Sequence, residues 1–302
     1  MDIKRLAIQL YPMEIQTSSR SGFYFPGDVV SGIVSILNKN ININGLHLEV
    51  EGRLTFSAVQ DANAFTKNKS FMYLTLPLIH GSPATQDVED ELKFPFEFTL
   101  PRDIPSSYEG KLGNIQYSIK AVIKEQDSVF KFGSTGFTVK AEVTLNAQDY
   151  VPMRQSISIP RSGIMADVWL DRTGYVPGEK IEFNAMIDNK SGKYVPGTTV
   201  QLIQYTMFND GQLFRSVKEK KILWETKGRQ ISDNATQLWD KFPIIVPCVP
   251  PSRMPFVDIT YVIKLTVHRT GFLNFNLVVR QNIVIASYHS PSCSDIETAK
   301  PI

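Results

Sequence analysis

The sequence predicts an all-β chain built from two antiparallel β-sandwiches in tandem. Three observations predict it: apolar residues recur at period two, Gly and Pro punctuation is dense with no clean helical stripe, and a motif repeats at half the chain length.

In chain order, Met1-Asp2-Ile3-Lys4-Arg5 leads straight into alternating residues and lacks the continuous apolar core of a secretory signal. Tyr24-Phe25-Pro26-Gly27-Asp28 then opens a strand that ends at Asn38-Lys39. Pro fixes φ and Gly accepts φ > 0, so Pro-Gly makes a tight turn feeding the strand. The acid after it can accept turn hydrogen bonds or remain solvated, a structural task either way.

Leu92, Phe94, Phe96, Phe98 and Leu100 alternate with Lys93, Pro95, Glu97 and Thr99. Ile115, Tyr117, Ile119, Ala121 and Ile123 form a second such set. On a strand each set shares one face, as a half-buried antiparallel sheet requires.

The second half repeats the plan. Tyr175-Val176-Pro177-Gly178-Glu179 opens a strand that ends at Asn189-Lys190, with Tyr175 lying 151 positions after Tyr24. Ile181, Phe183, Ala185 and Ile187 alternate within it. Ile259, Tyr261, Ile263, Leu265 and Val267 match the 115–123 set at a constant offset of 144. A Pro-Ser element precedes each, Ile104-Pro105-Ser106-Ser107 and Val249-Pro250-Pro251-Ser252. Ser216 to Arg229 is charged and reads as a long exposed strand or a loop. The expected domains are 1–155 and 160–288, with a boundary between Asp149 and Gly163 and a disordered polar tail over 289–302.

Composition narrows the function. With 32 basic and 30 acidic residues the net charge is +2, far from the basic excess of a nucleic-acid-binding domain, so no nucleic-acid partner is expected. No apolar run reaches the roughly 18 residues of a membrane span. The expected location is the cytoplasm. Cys248 and Cys293 are the only cysteines, unlike a secreted sandwich with a pair in each half. The glycosylation-type triplets at Asn68, Asn189 and Asn234 therefore carry no weight.

Catalytic and metal constellations are not apparent. His47, His80, His268 and His289 lack metal-ligand spacing, and no P-loop or Gly-x-Ser-x-Gly elbow occurs. The acids of Asp87 to Glu91 read as a solvated loop without a calcium-loop frame. No metal, cofactor or enzymatic activity is expected. Lys218-Glu219-Lys220-Lys221 reads as a solvated strand edge rather than a phosphate or lipid site. Tyr73-Leu74-Thr75-Leu76 and Tyr205-Thr206-Met207-Phe208 match a sorting pattern but sit in expected strands that would hide the tyrosine. Cys248, in an apolar run, reads as a small core residue; a redox role is the alternative.

The ordered set of motifs resembles the arrestin fold, and most closely the arrestin-domain-containing proteins, or α-arrestins. The residues that carry this are Tyr24 to Asp28 with Gly32-Ile33-Val34, Gly45-Leu46, Gly52-Arg53, Phe94 to Phe98, Ile104 to Gly110 and Ile115 to Ala121. Gly174 to Glu179, Asn189-Lys190-Ser191 and Val249 to Ser252 carry it in the second half. The resemblance covers roughly residues 3 to 285. It departs at Phe56, where many members place a nearby Trp, and at Val284 to Tyr288, which lacks a frequent Gly-Thr.

The resemblance implies a non-enzymatic trafficking adaptor. Its partners would be cytosolic segments of membrane receptors or transporters, with recruitment to the plasma membrane or endosomes and an indirect link to ubiquitin ligases. Lys4 and Arg5 on the first strand are the candidate partner-binding residues, since relatives place phosphate-meeting basic residues there. Ser57 to Ser70, Lys124 to Thr135 and Lys227 to Asn234 are candidate polar contact segments. The Pro-Pro-x-Tyr ligase motif of many members is missing, because Pro250-Pro251-Ser252 continues to Arg253 and the residues after Tyr288 hold no Tyr. The alternatives are a retromer-type sorting-coat subunit and a cytosolic redox or metabolic regulator acting through Cys248.

Overall fold

A computed structural model describes residues 3–11, 22–38, 45–60, 63–79, 91–125, 128–158, 162–209, 216–270 and 275–287. Apart from one 3-10 turn, the regular structure among them is β. The described residues up to Ala141 form one compact unit and those from Glu142 onward a second, except that Ser216 and Val217 group with the first.

The first unit holds β1 (Ile3–Tyr11), β2 (Phe23–Tyr24), β3 (Val29–Asn38), β4 (Gly45–Gln60), β5 (Asn63–Ile79), β6 (Glu91–Thr99), β7 (Tyr108–Glu109), β8 (Gly113–Glu125) and β9 (Ser128–Val139). One sheet runs β1-β3-β6; the other runs β2-β9-β8-β4-β5, with β7 on β8. Ile115, Tyr117, Ile119, Ala121 and Ile123 are all at most 2% exposed, so the alternation marks the inner face of β8. Phe98 on one sheet meets Phe137 on the other, with ring centroids 6.4 Å apart, which is the aromatic part of the sandwich core.

The second unit holds β10 (Met153–Ser158), β11 (Ile164–Leu170), β12 (Gly174–Tyr175), β13 (Lys180–Asn189), β14 (Thr198–Asn209), β15 (Ser216–Lys227), β16 (Ala235–Ile245), β17 (Val257–Val267) and β18 (Leu277–Ile285). Its sheets run β10-β11-β13-β16 and β12-β18-β17-β14-β15. Ile181, Phe183, Ala185 and Ile187 are fully buried, and Ile259 to Val267 buries its matching set. Residues 142–158 group with this unit, because Met153–Ser158 pairs antiparallel with β11 from Met153↔Leu170 to Ser158↔Met165. Ser216 to Lys227 is a strand at a sheet edge.

The sequence repeat is a repeat of hydrogen bonds. In the first turn Phe25 N donates to Asp28 Oδ2 at 2.7 Å, and Asp28 N donates to Phe25 O at 3.0 Å. In the second, Val176 N donates to Glu179 Oε2 at 2.9 Å, and Glu179 N donates to Val176 O at 3.1 Å. The acid thus closes the turn in both copies. Each unit is then shut by the same latch. Tyr117 donates to Pro105 O at 2.6 Å, and Tyr261 to Pro250 O at 2.5 Å. Val139 N donates to Ser107 Oγ and Ile285 N to Ser252 Oγ, at 3.0 and 3.1 Å. The same two strand ends pair in parallel with the residues before the turns, Tyr24↔Val139 and Tyr175↔Ile285.

Gly27 and Gly178 have φ of +89° and +88°. A Cβ at Gly178 would meet nothing within 4 Å, and at Gly27 would make only ordinary contact with Arg102. The requirement is therefore for the backbone conformation and not for space. Gly27→Val or Gly178→Val should each destabilise its own unit by about 1–2 kcal/mol. The Asn variants should cost less. Unchanged melting together with loss of a partner would instead assign these turns to binding.

Candidate partner-binding surfaces

Lys4 and Arg5 lie on β1, an edge strand of the three-stranded sheet. The register steps from Ile3↔Asn38 to Arg5↔Leu37, so Lys4 is the extra residue of a β-bulge. Bulges on edge strands interrupt the ladder and re-aim the chain.

Two of the three polar segments are not loops. Ser57 to Ser70 forms the outer half of the β4–β5 hairpin, with backbone pairing out to Gln60↔Asn63. Its polar residues pair across the strands: Thr55 Oγ1 donates to Asn68 Oδ1 at 2.8 Å, and the Ser57 and Thr66 hydroxyls lie 2.9 Å apart. Lys124 to Thr135 spans the end of β8 and much of β9. In both segments the described backbone is paired strand, which composition cannot distinguish from a loop. Lys227 to Asn234 is a connection between strands, held by the isolated bridge Val195↔Ile231.

Other candidates resolve individually. Tyr73 sits in a strand as expected, yet it is 57% exposed; it is not hidden, because it shares the outward face of β5 with Thr75. Tyr205 is partly buried, and the Lys218 ammonium lies 4.7 Å from its ring centroid. Cys248 is part-buried rather than in the core. His268 is 2.7 Å from Thr199 Oγ1. Asn189 is fully buried, with its amide committed to backbone. His80, His289, Cys293 and most of Asp87 to Glu91 lie outside the described residues. Among the described residues no three His, Cys, Asp or Glu side chains are placed to hold a metal ion. No helix among them is long and apolar enough to cross a membrane.

The Pro-Pro element is built into the second sandwich. Pro250 O accepts from the buried Tyr261, Ser252 holds the end of β18, and Arg253 reaches back to Asp149. That ion pair is two-pronged: Arg253 Nη1 and Nη2 lie 3.0 and 2.8 Å from Asp149 Oδ2 and Oδ1. Asp149 is only 3% exposed. It sits in the 3-10 turn Ala147–Tyr150 and also accepts from Asn146 N at 2.7 Å. The hydrogen bonds from Arg253 hold its carboxyl below the usual carboxylate range, against the opposing effect of burial.

This geometry agrees with family comparisons. Residues 13–146 match the arrestin (or S-antigen) N-terminal domain, and residues 160–292 match the C-terminal domain. The chain belongs to the arrestin family. Among its relatives, arrestin domain-containing protein 17 of Caenorhabditis elegans is 24% identical over 294 residues, covering 87% of this chain and 68% of that protein. Arrestin domain-containing protein 4 of Mus musculus is 25% identical, covering 83% and 66%. Arrestin domain-containing protein 1 of Homo sapiens is 24% identical, covering 84% and 59%. The match thus spans about three fifths to two thirds of the relatives' own length. The chain is an α-arrestin-type protein, and its two arrestin halves are the two sandwiches described above.

In this arrestin scaffold the Pro-Pro pair cannot lie down as an extended ligand without opening the latch. Isolated WW domains, which take pre-extended proline segments, should therefore not bind the purified chain through Pro250-Pro251. A pull-down that showed micromolar or tighter binding, abolished by Pro251→Ala, would contradict this.

Proposed function

We propose that this chain is a non-enzymatic adaptor that binds cytosolic segments of membrane receptors or transporters and assists their endocytic sorting. The observation that supports it most is that both arrestin-type sandwiches are present in order, each closed by its own complete latch. On this reading the polypeptide acts by presenting sheet faces and hairpins. Lys4 and Arg5, on the bulged edge of the first sandwich, meet acidic or phosphorylated residues of the cargo. Ubiquitin ligases are reached through a partner, for instance another arrestin-domain protein that carries the proline motif. The protein works in the cytoplasm and moves to the plasma membrane or endosomes with its cargo.

Affinity purification with mass spectrometry, followed by depletion, tests this. Membrane receptors or transporters should co-purify, and their surface lifetime should lengthen when the chain is depleted. Stoichiometric recovery of a large solenoid partner would favour the sorting-coat alternative. Captured membrane proteins whose lifetime does not respond to depletion would refute the trafficking role.

A further inference from the structure

Each sheet ends in strands with no neighbour on one side. Natural sheets guard such edges with Pro, Lys, bulges or very short strands, and most edges here are guarded. β1 carries the bulge at Lys4, and β6 has Pro95 at mid-strand, opposite Ile33. The register of β5 skips Phe71 and Leu78, with Pro77 beside the second. β15 bears Lys218, Lys220, Lys221 and Lys227. β16 is interrupted at Asp240 and Lys241, where Lys241 takes a φ of +45°, and continues into Pro243. β2 and β12 are two residues long.

Among the described residues β10 is the exception. Met153–Ser158 has the ordinary length of a strand, contains neither Pro nor Lys, and pairs with β11 from end to end without a shift. Every second residue therefore turns its N–H and C=O toward a side where no strand lies. Two polar side chains that share a face of β10 are drawn back from that side. Ser156 Oγ donates to Asp167 Oδ1 and Arg154 Nε to Asp167 Oδ2, each at 2.9 Å, both toward β11. Arg154 Nη2 also donates to Asp167, which leaves Nη1 as a spare donor on a side chain that stays 67% exposed. The residues leading into the strand are apolar and open: Tyr150, Val151 and Met153 are all exposed.

We propose that β10 takes up a strand from a partner protein: an extended segment that pairs antiparallel along Met153–Ser158, with an acidic residue beside Arg154 followed by an apolar residue beside Met153 and Val151. Antiparallel pairing is the more stable ladder. It fixes that order, because the segment then runs from Ser158 toward Met153. Main-chain hydrogen bonds supply the affinity and alternate side chains the selectivity. The spare guanidinium donor of Arg154 selects the acid. Size decides against a second copy of this chain. Pairing through β10 alone engages six residues a side, against the roughly 20–30 a side of a stable interface. The inference rests on the adaptor reading only in placing the segment in a partner. Strand pairing is tested on the purified chain, and pairing there with no co-purified membrane protein would separate the two.

The probe is a fluorescent Gly-Ser-Thr-Val-Thr-Val-Glu-Leu-Gly-Lys peptide, titrated by anisotropy against the purified 302-residue chain. Expected is a Kd of about 10–100 µM, weakened about threefold or more when the peptide Glu becomes Lys. N-methylation reads strand pairing directly. Methylating one alternate set of peptide amides should weaken binding about tenfold or more, and methylating the other set should be tolerated, because only one set faces β10. Hydrogen exchange should slow on binding at the amides of β10 and not at those of β5 or β15. Val151→Ser should weaken binding about threefold with Tm unchanged, while Ile222→Ser, a comparably exposed apolar residue on β15, should leave binding as it is. The proposal is overturned by absence of binding, by equal effects of the two methylated sets, or by protection at another edge. Protection of β10 that rises with protein concentration without peptide would give the edge to a second copy and overturn it as well.

Discussion

Asn189→Ala should lower the stability of the second unit by about 2–4 kcal/mol, the largest single polar effect expected in the chain. Asn189 ends β13 with no exposed surface. Its Nδ2 donates to the carbonyls of Lys193, Ser232 and Ile231 at 2.9, 2.9 and 3.3 Å. Its Oδ1 accepts from Ser191 N and Oγ at 3.2 and 2.7 Å. Truncation removes the buried side chain that ties the 189–193 turn to residues 231 and 232, and so loosens two connections together. Ile231 O keeps Val195 N, and Lys193 O keeps Ser191 Oγ. Chemical denaturation monitored by Trp fluorescence reads the change. A loss under 1 kcal/mol would mean that water replaces the amide. The same burial excludes glycosylation at the Asn189 triplet in the folded chain.

Arg253→Leu should cost the second unit about 2–3 kcal/mol at neutral pH. Removing one partner of a buried ion pair costs more than this; the figure is reduced because Arg253 is 43% exposed and Asp149 keeps the Asn146 amide. The effect should depend on pH with a definite sign. In the folded chain the Asp149 carboxyl is held below its ordinary value. It therefore contributes stability that is present above the unfolded value of about 4 and is lost as pH falls through the lowered folded value. The difference between wild type and Arg253→Leu should be largest near neutrality and shrink below about pH 4. A difference that stayed constant from pH 7 to pH 3 would assign Arg253 a packing role alone.

Much of the fold was legible because it repeats. The x-Pro-Gly-acid turns, the Pro-Ser elements and the two alternating sets occur in the same order in both halves, and each proved to be one contact type made twice. Tyr73 could also have been read correctly. Period two places it with Thr75 and Pro77, opposite Leu74 and Leu76, so strand membership and exposure are compatible. Arg253 shows what was out of reach. Sequence gave no reason for Arg there beyond the absence of Tyr, because its partner Asp149 lies 104 residues earlier. The open edge of β10 was hidden for a similar reason. Met153 to Ser158 reads as part of a domain boundary until its pairing with β11 makes it the last strand of a sheet.

The paired latches also bear on how the chain is made. Each joins residues near the two ends of its sandwich: Phe23 to Thr138, and Gly174 to Val284. Contacts this distant in sequence impose loop-closure entropy before they return any stability, so they slow folding. During synthesis the first sandwich cannot shut until Val139 and the residues beyond it have left the ribosome. Until then the apolar faces of β3, β4 and β8 wait uncovered. Each half is in turn an interval in which the nascent chain exposes apolar strands, and a ribosomal pause placed after the first latch would let one sandwich finish before the other begins.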